Sequence, residues 1–114
     1  MTRDTSFQIK LARLKQVYKQ SLLDKVDHLT MIHARLSQQN DIADTIVLLE
    51  EATHKLSGSA GSYDYHHISA AAHELEYRCR SLQSDELVKS SSEDIMALTD
   101  QLTGLIDLLR AEFD

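Results

Sequence analysis

His54, Ser57, Gly58 and Gly61 follow one another at steps of three, one and three residues, which places all four on one side of a helix. An imidazole nitrogen is a good nucleophile near neutral pH, because such rings are largely uncharged there. The residues one and two turns beyond the histidine are a serine and two glycines, so almost no side-chain bulk surrounds the ring. Such a face admits close approach of another macromolecule. Glycine inside a helix costs roughly 1 kcal/mol relative to alanine, so its use here calls for a reason other than helix stability. Gly61 also reads as an ordinary helix C-terminal cap, whereas Gly58 comes too early for that role. A single exposed histidine is ordinarily no more than a surface residue; the four residues together are what point to chemistry.

Two other chemistries fit less well. His73, Glu76 and Cys79 recur at three-residue steps, with His66 two turns before His73. Cys79 belongs to the apolar stripe of its helix, while His66 and His73 project to the opposite side, so no metal site is expected. His33 falls near the inward face of its helix and reads as a partly buried, hydrogen-bonded histidine. Hydrolysis by a serine triad is not expected either. His54 has no acidic partner at triad-like spacing, and Ser57 lies on an open surface with no evident oxyanion hole.

The elements that must position His54 are helices. Apolar residues recur at three- and four-residue steps in five segments. The first, about Ser6 to Gln20, carries Phe7, Leu11, Leu14 and Tyr18, with Thr5 and Gln8 as a capping pair. The second, about Leu22 to Gln38, carries Leu22, Val26, Leu29, Ile32 and Leu36; the pattern does not say whether these two are separate or one bent helix. The third runs from about Asp41, with Asn40 or Asp41 as cap, to Ala60 or Gly61. At about 100° per residue its stripe of Ile42, Ile46, Leu49, Thr53, Leu56 and Ala60 is roughly 80° wide, and His54 lies roughly 120° from the stripe's centre. Gly61 to Asp64 reads as a turn. The fourth segment, about Tyr65 to Leu82, turns Ile68, Ala72, Leu75, Cys79 and Leu82 inward. Gln83 to Ser91 is a polar connection. Ser90 and Glu93 form a capping box that opens the last helix, Ser92 to about Phe113. Short connections favour antiparallel neighbours. The expected fold is therefore all-α: an up-and-down antiparallel four-helix bundle with an additional N-terminal helix.

Composition agrees. The 114 residues include no Pro and only three Gly, and suit one domain over residues 1–114. A formal charge of −6 with scattered Lys and Arg argues against nucleic acid. No stretch reaches the roughly 18 apolar residues of a membrane helix. Cys79 is the only cysteine, which excludes an intrachain disulfide and suggests a reduced, cytoplasmic setting. The helix pattern still runs at Phe113-Asp114, which suggests one module of a longer regulator.

The run His54-Lys55-Leu56-Ser57-Gly58-Ser59-Ala60-Gly61-Ser62-Tyr63 resembles the phosphorylation motif of histidine-containing phosphotransfer (HPt) domains. That motif reads His, any residue, Leu, often Lys, Gly, then small residues. Ile68 and the pair Leu75-Glu76 also fall where the family places an apolar residue and a Leu-Glu pair. The resemblance implies a phosphocarrier and not a kinase or other enzyme, with His54 phosphorylated and Ser57, Gly58 and Gly61 around the phosphoryl group at the docking face. It implies response-regulator receiver domains and a hybrid sensor histidine kinase as partners of a monomeric carrier. It implies no cofactor of the chain's own, since Mg²⁺ belongs to the receiver. Two positions depart from the pattern. Ser57 stands where members often have a Lys that assists the phosphoryl group, and Asp64 stands where they commonly have Gly. A helical adaptor that binds a signalling partner without chemistry is the alternative reading.

Overall fold

The computed structural model describes residues 2–84 and 91–114, and within them the chain forms four helices and no strand. Helix α1 spans Thr2–Ser37, α2 Ile42–Ser62, α3 His66–Ser84 and α4 Ser92–Ala111. Each packs against two neighbours, with α1 and α3 on one diagonal and α2 and α4 on the other, and α2 lies closest against α3. This is the up-and-down bundle that the periodicity predicts. The core is built from the predicted stripes, among them Leu22, Leu29, Leu49, Leu56, Ile68, Leu75, Leu98 and Leu102, all buried.

The additional N-terminal helix is not a separate element. The first two predicted segments form one 36-residue helix. No Pro or Gly interrupts residues 2–37, and Tyr18, Leu22, Val26 and Leu29 continue one stripe, so nothing turns the chain. Thr5 consequently lies inside α1 and opens no helix. Residues 5–14 are exposed, and α1 meets the α2–α3 turn at Lys15, whose Nζ is 2.7 Å from Asp64 Oδ2. The overhang accounts for a long axis of 61 Å.

The helix ends explain the turns. Gln39 has a φ of 54°, its N–H donates to Leu36 O, and the N–H of Asn40 donates to Arg35 O, which closes α1 in a Schellman motif. Asp64 repeats the device after α2, with a φ of 67° and the Tyr65 N–H on Ala60 O at 2.8 Å. Asp64 thus holds the left-handed position that favours Gly. Gly61, a predicted cap, is helical, and no glycine has a positive φ among the described residues. Asp41 is the N-cap of α2, but its side chain accepts no helix N–H. The capping box of α4 lies one residue later than predicted, on Ser91 and Asp94. Ser90, with the rest of residues 85–90 of the polar connection, lies outside the described residues. Among the described residues no helix is long and apolar enough to cross a membrane.

Candidate functional site

His54 sits on the outer face of α2, as its angle to the stripe predicts, with 68% of its side chain exposed. The neighbouring Thr53 is buried and turns its hydroxyl back onto Leu49 O at 2.8 Å, which anchors this turn of α2 in the core.

The expectation that His54 lacks an acidic partner is overturned. Its Nδ1 stands 2.9 Å from Oε2 of Glu76, which reaches across from α3. Glu76 is itself buried, at 3% exposure. A buried carboxylate requires partners, and Arg80 supplies one, with its NH2 2.7 Å from the same Oε2. Arg80 Nε continues to Glu50 Oε1 at 3.0 Å, and Gln83 donates to Glu50 Oε2 at 2.6 Å. The Gln83 amide and then the Arg80 guanidinium hold the Glu50 carboxyl below the usual carboxylate range. On the other oxygen of Glu76, His73 Nδ1 stands at 3.8 Å. The result is a chain of charged groups stitched across the α2–α3 seam, with His54 at its exposed end.

Distance along the chain hid this partner, since 22 residues separate His54 from Glu76. The helical period gave only a weak signal. At 100° per residue Glu76 lies about 40° beyond the edge of the arc spanned by Ile68, Ala72, Leu75 and Cys79, on the flank of the stripe that α2 covers.

The three small residues divide. A Cβ built on Gly58 would meet nothing within 4 Å, so that face is open. A Cβ on Gly61 would lie 3.3 Å from Ser69 Oγ, so Gly61 serves the close approach of α3 and not the open face around His54. Ser57 is half-buried, and its carbonyl accepts from Ser69 Oγ at 2.7 Å. Lys55 points to the other side, into a groove of about 430 Å³ between α1 and α2. Asp24, Lys25, His28 and Leu29 line that groove from α1, and Leu48, Glu51, Ala52 and Leu56 from α2.

The remaining histidines and the cysteine fall as the pattern indicates. Cys79 is buried and its thiol is pushed up to about 12 by desolvation. His66 and His73 are exposed, and His33 is half-buried with Nε2 2.9 Å from Thr103 Oγ1. No group of three His, Cys, Asp or Glu is placed to hold a metal among the described residues.

Fold and site together define a helical bundle that presents, on the outer face of α2, a histidine oriented by a buried carboxylate. The family profile described as the Hpt domain matches residues 13–112, nearly the whole chain. The chain belongs to the Hpt domain family, whose members are phosphocarriers of two-component signalling. No curated protein and no solved structure gives a significant match.

Proposed function

We propose that this chain carries a phosphoryl group on His54, taking it from the aspartyl phosphate of one receiver domain and delivering it to another. The observation that carries this reading is the His54–Glu76 pair. A carboxylate can only accept, so Nδ1 of His54 donates to it, and the neutral ring then holds its lone pair on Nε2, pointing outward. Nε2 attacks phosphorus in line as the P–O bond to the receiver aspartate breaks and the aspartate leaves as carboxylate. The ring gains positive charge as the N–P bond forms, and the Glu76 carboxylate opposes it at 2.9 Å. The reverse sequence returns the phosphoryl group to a second receiver. Mg²⁺ and the phosphate-binding cation belong to the receiver, so this chain's contribution is orientation of the nucleophile and the docking face.

The bare surface at Gly58 leaves room for the receiver, and Ser57 offers a hydroxyl at the edge of the site. Gly61 acts one step back, by letting α3 bring Glu76 close. The groove beside Lys55 extends the docking face onto α1 through Asp24, Lys25 and His28.

The test is transfer from a receiver domain phosphorylated by acetyl phosphate in the presence of Mg²⁺. Label should move to the wild-type chain in an acid-labile, alkali-stable form. His54→Ala should abolish it with a nearly unchanged melting temperature, since the side chain is largely exposed. Label retained in His54→Ala would move the site to another histidine. Receiver binding without any transfer would establish the adaptor reading instead.

A further inference from the structure

We infer that His73 is a phosphoryl-binding residue: in its protonated form it supplies the positive charge beside phosphorylated His54. This rests on the reading of His54 as acceptor.

A phosphoryl group on Nε2 adds close to two negative charges at the surface, and His54's own face offers little to meet them. Ser57 contributes a hydroxyl and no charge, Gly58 contributes nothing, and Lys55 points into the α1–α2 groove. Arg80 is engaged by Glu76 at 2.7 Å and by Glu50 at 3.0 Å. His73 is placed differently. It flanks the same buried carboxylate as His54, on the opposite oxygen, so the two Nδ1 atoms stand within about 9 Å of each other. Its separation from Glu76, 3.8 Å, is longer than a hydrogen bond, and 70% of its side chain is exposed. The ring is therefore free to turn toward the phosphoryl oxygens.

In the antiparallel α2–α3 pair, His54 opposite Glu76 puts Ser57 opposite His73. The basic residue thus stands across the seam from the turn of α2 that follows the acceptor. The titratable group that faces it is Glu76 of α3, whose other oxygen meets His54 of α2 at 2.9 Å and Arg80 of α3 at 2.7 Å. Helix α4 meets α3 on another side, through Arg78 and Gln101.

Imidazoles as a class change charge between about pH 5 and 8, so the stabilisation should follow pH where a lysine's would not. The experiment measures transfer from a phosphorylated receiver to the full chain carrying His73→Gln or His73→Lys, from pH 6 to 8.5. A charge several ångströms away near the surface is expected to change the rate about three- to tenfold. Relative to wild type, His73→Gln should be slower by that factor near pH 6 and equal near pH 8.5. His73→Lys should match wild type near pH 6 and exceed it near pH 8.5. Dividing by the wild-type rate removes the receiver's own pH dependence. Equal rates for all three proteins across the range would overturn the proposal, as would a loss in His73→Gln that His73→Lys does not rescue. Failure of the parent reading would look different, since wild-type chain would then take no label at any pH.

Discussion

His54 and Glu76 show how a single contact can convert a surface histidine into an oriented nucleophile. Neither residue is unusual alone, and the chemistry arises because the acid is buried and the imidazole is not. Replacing the acid with its amide separates charge from shape. Glu76→Gln keeps an acceptor for Nδ1–H but removes the charge that opposes the developing imidazolium. Transfer from a phosphorylated receiver should slow by about tenfold or more. A circular dichroism spectrum that keeps its helical form would show that the loss lies in the chemistry. Wild-type rates in Glu76→Gln would mean that the carboxylate merely anchors Arg80.

At the level of elements, α2 is shaped by two glycines with different duties. Gly58 faces open space, so Gly58→Ala should stabilise the chain by up to about 1 kcal/mol through helix propensity. Gly61→Ala should gain less or lose, because the new methyl lies 3.3 Å from Ser69 Oγ, which is itself held on Ser57 O. Thermal melts of the two variants should therefore shift differently. Gly58→Gln should leave the melting temperature intact yet slow transfer on the order of a hundredfold, since an approach displaced by about 1 Å suffices for that. If Gly58→Gln instead unfolds the protein, the open face described here is wrong. The seam depends equally on the turn that joins its helices. Asp64 adopts the left-handed conformation there while Lys15 hydrogen-bonds its carboxylate and holds it below the usual range.

The whole molecule is a bundle whose first helix outruns the others. Tyr18 fastens that helix where it enters the bundle: its ring stacks on Tyr63 at 4.4 Å, and its hydroxyl meets Ser59 Oγ at 2.7 Å. Burial raises the Tyr18 hydroxyl above its ordinary value, as it does the Cys79 thiol. Both groups fold as neutral species. Each therefore contributes stability that is complete below its unfolded pKa and is lost as pH rises through the folded one. For Cys79 that window runs from about 9 to about 12. The melting temperature should fall progressively above pH 9. At pH 8 the thiol should resist a disulfide reagent until denaturant is added. Rapid reaction of the native protein would place Cys79 outside the core.

Amphipathic period alone determined where helices form, their inward residues from Tyr18 onward and the outward aim of His54, because each depends on neighbours three and four positions away. It did not show that Phe7, Leu11 and Leu14 of the same stripe stay exposed, since among the described residues nothing packs on that end of α1. The same period put Glu76 on the flank of its stripe, which left its burial undecided. It could not name the partner, since His54 and Glu76 meet only when α2 and α3 pack antiparallel in one particular register. Nor could it separate Gly58 from Gly61, which share a helix face and differ in whether α3 covers them. The continuity of α1 was also decided in three dimensions. A 3.6-residue pattern reads alike in one helix or in two placed end to end, and the choice fell to the core, which holds Tyr18 and Leu22 in a single line.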